Sequence, residues 1–148
     1  MTKDELFLDI ARALSGCQLV EERLKLYIAE ALQYAKKCIG RRMAFKMAGE
    51  DYADASLERL IEMFKKLSDN EPLVADLRKF KDERNFLSHR GITHCLDYEG
   101  EVFQSTAEEY TARLRAIEVE AARLQRALHD EAGNFSADLA FGEFPDAC

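Results

Sequence analysis

Apolar and small residues recur at steps of three and four along the first forty positions: Leu6, Ile10, Leu14, Cys17, Val20, Leu24, Tyr27, Ala31, Tyr34 and Cys38. A strand would show a period of two, whereas steps of three and four keep side chains on one face of an α-helix. The pattern predicts one long helix from about Asp4 to Ile39, with Ser15-Gly16 as a place to bend. The same spacing returns near the other end in Tyr110, Leu114, Ile117, Ala121, Leu124 and Leu128. Two shorter stripes lie between them, Leu57-Leu60-Ile61-Phe64-Leu67 and Leu73-Leu77-Phe80-Leu87. A helix with one apolar stripe must bury it against others, so the expected fold is all-α, an antiparallel four-helix bundle.

Punctuation residues suggest the boundaries. Residues 40–53 break the stripe and read as a loop with room for one helical turn. Asp54 or Ser56 can cap the second helix. Ser68 to Pro72 reads as a turn, with the proline in the first turn of a third helix that runs to Arg90 and ends at Gly91. Residues 92–104 read as a connector with a small hairpin around Tyr98-Glu99-Gly100. Thr106-Ala107-Glu108-Glu109 resembles a capping box for a fourth helix ending at Gly133. This reading divides the chain into a helical domain, 1–133, and a tail, 134–148. The tail carries Phe135, Leu139, Phe141 and Phe144, too apolar for a solvated end, and is expected to dock on the helices or on a partner.

Composition narrows the function. The net charge of −7 argues against simple wrapping of nucleic acid, although Arg78, Lys79, Lys81, Arg84 and Arg90 form a local basic group. No apolar run approaches a membrane span, and the acidic N-terminus is unlike a signal peptide, so a cytoplasmic protein without membrane association is expected. Cys17, Cys38, Cys95 and Cys148 are widely spaced and form no CxxC pair, which suggests reduced thiols rather than disulfides or zinc ligands. No metal and no cofactor are expected.

The densest group of chemically versatile residues is Arg84-Asn85-Phe86-Leu87-Ser88-His89-Arg90. Arg84 stands where the Leu73-Leu77-Phe80-Leu87 stripe calls for an apolar residue, and a bare buried guanidinium would cost several kcal/mol or more. It therefore faces a cleft or a second subunit, or is a structural arginine paired with Glu58, Glu62 or a backbone carbonyl. Asn85 and His89 are four apart and share a flank with Arg78 and Lys81. With Gly91 as the helix end, His89 would sit in the last turn, where the helix dipole favours its protonated form. A second arginine-to-histidine match, Arg123 and His129, lacks the carboxamide and the stripe position, and His129 reads as a surface residue.

The segment from Glu83 to His89 resembles the signature of the HEPN superfamily, in which an arginine, often followed by a polar residue, is separated from a histidine by four to six intervening residues. The order of long, short, short and long helices is similar too, over roughly Leu6 to Ala132. The resemblance implies an all-α bundle, a homodimer with the two motifs facing one another, and metal-independent cleavage of RNA, as in a toxin or a defence effector with an antitoxin or other protein partner. It also allows a non-catalytic module that binds a nucleotide, RNA or a protein.

The residue chemistry suits RNA cleavage. A 2′-hydroxyl must lose a proton, the leaving 5′-oxygen must gain one, and the phosphorane between them carries added negative charge. His89 can exchange protons near neutral pH. Arg84 offers a fixed charge in a fork that fits phosphate oxygens, and Asn85 can orient the imidazole or hold a phosphate oxygen. Arg84, Asn85 and His89 are thus the candidate catalytic residues, and Arg78, Lys81, Ser88 and Arg90 the candidate substrate contacts. Five residues apart, Arg84 and His89 project about 140° from each other, which favours a site shared between two copies.

Overall fold

The structure, a computed structural model, describes residues 2–96, 99–142 and 144, without the side chains of 92, 95, 96 and 101–106. Helix α1 spans Lys3–Ile39, α2 Leu57–Leu67, α3 Glu71–Leu96 and α4 Glu101–Phe141, with a short 3-10 turn at Gly49–Tyr52. The protein is all-helical, and no strand occurs among the described residues. Among the same residues, no helix is long and apolar enough to cross a membrane.

Local chemistry sets several ends. Thr2 and Glu5 form a reciprocal capping box that opens α1, with the Thr2 backbone N–H donating to the Glu5 carboxylate at 2.6 Å. Gly40 closes α1 at φ 62°, a left-handed value that favours glycine. Ser56 caps α2 by accepting from the Arg59 amide. Asn70 accepts from the Leu73 amide at the start of α3, with Pro72 in the first turn as expected.

Neither Gly91 nor Gly133 ends its helix; α4 is closed by Gly142, whose amide donates to the Asp138 carbonyl. Gly91 is buried inside α3, which continues to Leu96. A Cβ at Gly91 would lie 3.2 Å from Ile10 Cγ2 and 3.8 Å from the Tyr110 hydroxyl. The missing side chain thus lets α1, α3 and α4 approach; it is not serving a turn. His89 is consequently seven residues from the helix end, outside the last turn where the dipole acts, and that turn contains His94 instead. α3 runs to Leu96 and α4 opens at Glu101, so both helices extend into the stretch read as a connector. Thr106 lies inside α4, which opens after Gly100, so the expected capping box is not its start. Tyr98 of the expected hairpin lies outside the described residues.

At the other end, α4 passes through Gly133 and reaches Phe141. Phe135 explains the extension: it is buried against Tyr27, with ring centroids 5.2 Å apart, and against Tyr34 at 5.9 Å. Phe144 packs edge-on to Tyr34 at 5.5 Å. Phe135, within the helix, and Phe144, beyond it, therefore dock on α1, while Phe141 itself is 91% exposed.

Residue pairings fix the helix directions. Glu21 and Ile10 of α1 meet Arg84 and Gly91 of α3, so α1 and α3 are antiparallel. Glu62 and Glu58 meet Arg78 and Lys81, and Asp76 and Glu83 meet Arg123 and Arg113, so α3 is antiparallel to α2 and α4 as well. By contrast Gly16 meets Ala121 and Tyr27 meets Phe135, which makes α1 and α4 parallel. Glu21 and Tyr27 lie level with Leu57 and Phe64, which makes α1 and α2 parallel too. The fully antiparallel order expected of the bundle fails at α1. The reason is the connector of residues 40–56, which folds back along α1, with Gly49 against Ala29, and delivers α2 beside the middle of α1. Tyr52 pins that connector by donating to Met63 Sδ at 3.1 Å. The core joins the faces of all four helices around Leu24, Ile28, Phe64, Leu77, Phe80, Leu114 and Leu124.

Candidate functional site

The motif divides its residues among three directions. Glu83 and Phe86 turn toward α4. Glu83 accepts two hydrogen bonds from Arg113, at 2.7 and 2.8 Å, and the Arg113 guanidinium stacks 3.4 Å above the Phe86 ring. The Glu83 carboxylate holds Arg113 firmly protonated. Leu87 is in the core. These residues build the α3–α4 seam.

Arg84 turns toward α1 and α2. Its Nε lies 3.3 Å from Glu21 Oε1, and both side chains line a groove of about 230 Å³ with Ser56, Glu58, Lys81 and Asn85. Arg84 keeps 38% of its side chain exposed and Glu21 only 18%. The guanidinium is therefore at a cleft and also paired, and its partner is Glu21, not Glu58 or Glu62. Those two acids meet Lys81 at 4.0 Å and Arg78 at 3.1 Å. Two acids and two bases line the groove, so it carries little net charge.

Asn85, Ser88, His89 and Arg90 form the exposed edge of α3. Among the described residues none of the four side chains makes a hydrogen bond or ion pair. Asn85 joins this edge to the groove, and His89 lies one turn further along the same flank. A single chain thus brings Arg84, Asn85 and Lys81 together but leaves His89, Ser88 and Arg90 outside the groove. Arg78 lies on the exposed surface with Glu62.

Sequence reasoning missed Glu21, although a signal for it existed. Leu14, Glu21 and Ile28 are seven apart, as are Leu77, Arg84 and Gly91. Each charge stands midway between two packed positions of its own helix, and the two have opposite sign. The second arginine-to-histidine match has different surroundings. Arg123 is held by Asp76 at 2.7 Å and Glu120 at 2.6 Å, which keep it protonated, and His129 is exposed.

Beneath Arg84, Cys17 is 2% exposed, and burial pushes its thiol from an ordinary 9.0 to about 11, against the pull of the Arg84 guanidinium. The folded state therefore holds this proton more tightly than the unfolded chain does. Its contribution to stability is complete below about pH 9 and is lost as pH rises toward 11, a fall of roughly 2 kcal/mol. Denaturant midpoints measured across that range should drop, and Cys17→Ala should make the drop smaller. An unchanged pH dependence in the variant would exclude Cys17 as its source.

No known family model matches this chain, and no match is found among curated proteins or solved structures.

Proposed function

We propose that this protein is a HEPN-like, metal-independent endoribonuclease that acts as a homodimer, each α3 supplying Arg84, Asn85 and His89 to a shared cleft. The observation that carries this reading is the exposed edge of Asn85, Ser88, His89 and Arg90 beside the Arg84 groove, with side chains that make no hydrogen bond or ion pair among the described residues. Polar side chains spaced to meet phosphate and ribose, next to a guanidinium, fit attack by a 2′-hydroxyl. Within one chain Arg84 and His89 diverge, so a second copy is the simplest way to place an imidazole opposite a guanidinium.

The test is RNA cleavage by the full chain in EDTA. The expected products end in 2′,3′-cyclic phosphate, and a strand with 2′-deoxyribose at the cut position should be inert. Intact RNA after prolonged incubation, with binding retained, would replace the nuclease by a binding module.

That second reading is favoured by one specific contact, the Glu21–Arg84 pair at 3.3 Å. A carboxylate already on the guanidinium competes with any phosphate. Glu21→Gln should therefore tighten RNA binding several-fold, since each well-placed charge contact is worth about 1 kcal/mol or more. A filter-binding or fluorescence titration decides it: unchanged affinity in Glu21→Gln would mean that Arg84 does not meet RNA.

A further inference from the structure

Large apolar side chains also stand in solvent on α1, on the side away from α3. Leu8 is 50% exposed, Leu19 54% and Leu26 45%. They belong to one row, Leu8, Arg12, Ser15, Leu19, Glu22 and Leu26, with steps of four, three, four, three and four. That is the spacing of a coiled-coil seam, about 27 Å long at 1.5 Å per residue. Every member is exposed, Arg12 with 56% of its side chain and Glu22 with 69%. Ile10 and Glu21, which meet α3, lie on the opposite side of the helix. The row stops after Leu26 because its next position, Ala29, is covered by Gly49 of the connector.

The row is self-complementary in reverse. Laid antiparallel on a second copy about a two-fold axis level with Cys17, Leu8 falls opposite Leu26, Arg12 opposite Glu22 and Ser15 opposite Leu19, each pair occurring twice. Layers that alternate in this way are what an isologous antiparallel helix pair requires. A parallel pairing would instead set Arg12 against Arg12 and Glu22 against Glu22. The present partners of these charges, Asp9 for Arg12 at 3.8 Å and Lys25 for Glu22 at 3.4 Å, are surface contacts one turn away on the same helix. Such pairs are weak and leave both groups available to a new partner.

We propose that this face of α1 is a self-association surface, occupied by α1 of a second copy in antiparallel register with Arg12–Glu22 pairs flanking the centre. The symmetry of the pattern argues for the second copy, because a different protein would not need leucines and opposite charges at equal distances from one midpoint. The pairing leaves both α3 edges facing outward, so it is a second interface, distinct from the α3–α3 cleft proposed above, and a particle that uses both surfaces holds four copies.

The test is the mass of the full chain by sedimentation or light scattering at micromolar concentration, without RNA. Arg12→Glu places two acids opposite each other, and Glu22→Arg two bases. Each should halve the mass of the wild-type particle, with an unchanged circular dichroism spectrum. The double variant Arg12→Glu/Glu22→Arg restores opposite charges and should return to the wild-type mass. A wild type already at the mass of Arg12→Glu would overturn the proposal and leave the stripe to a different protein. Failure of the double variant to recover would overturn the antiparallel register. RNA cleavage should persist in Arg12→Glu, so loss of mass and loss of cleavage report on different surfaces.

Discussion

His89→Ala is expected to slow RNA cleavage by about 10²- to 10⁴-fold while changing RNA affinity little, because proton transfer belongs to the transition state. His89 is exposed in the interior of α3, and among the described residues its side chain makes no hydrogen bond or ion pair. Its removal should leave the fold intact, so the loss can be assigned to chemistry. Arg84→Ala should weaken both turnover and binding, since the guanidinium meets phosphate in the ground state and the more highly charged phosphorane more strongly. It would also leave Glu21, 18% exposed, without its cation. The double variant Glu21→Gln/Arg84→Ala separates that structural cost from the loss of a phosphate contact. His129→Ala is the control, being exposed on α4 near an arginine that Asp76 and Glu120 already hold. Single-turnover cleavage at saturating enzyme reads the chemical step directly. Equal losses in His89→Ala and His129→Ala, or full activity in His89→Ala, would sink the assignment.

The all-helical fold was legible because period is a local property. Leu6 to Cys38 repeats at three and four whatever surrounds it, and tertiary packing then uses the face so marked. Helix ends were less legible because glycine has two uses that look alike in a sequence. At Gly40 the chain needs a positive φ, and α1 ends there. At Gly91 the fold needs the absence of a side chain, because Ile10 and Tyr110 converge on that point from residues far away in the chain. Direction was less legible still. The connector at 40–56 could lead α2 back down α1 or carry it up beside α1, and the contacts that decide it, Gly49 on Ala29 and Phe64 on Tyr27, join residues far apart in the chain. At the site, the anomaly of Arg84 was visible as a charge in an apolar stripe, and so was the flank shared by Asn85 and His89. Its partner was not identified, because Glu58 and Glu62 offered nearer carboxylates, which the structure assigns to Lys81 and Arg78.

Phe64→Ala should destabilise the protein by about 3–5 kcal/mol, the cost of removing a fully buried aromatic ring. Phe64 has no exposed surface and meets the edge of Tyr27 with ring centroids 4.8 Å apart. It lies in α2, whose 11 residues are too few to form a stable helix in isolation. That helix therefore exists by virtue of the face it buries, and Phe64 is the largest side chain on it. The loss would be a large share of a total stability of roughly 5–15 kcal/mol. At about 2–4 °C per kcal/mol for a chain of this size, the thermal midpoint should fall by roughly 6–20 °C. Phe141→Ala, which removes the same ring from a 91% exposed position, should change stability by no more than about 0.5 kcal/mol. The comparison also reaches the site, because Ser56 and Glu58, at the start of α2, form one wall of the Arg84 groove. Loosening α2 should therefore weaken RNA binding in Phe64→Ala at temperatures where the protein is still folded. Thermal unfolding followed by circular dichroism, run beside RNA titrations below the midpoint, checks both effects. Equal midpoints for Phe64→Ala and Phe141→Ala would show that α2 does not pack on α1 through this face.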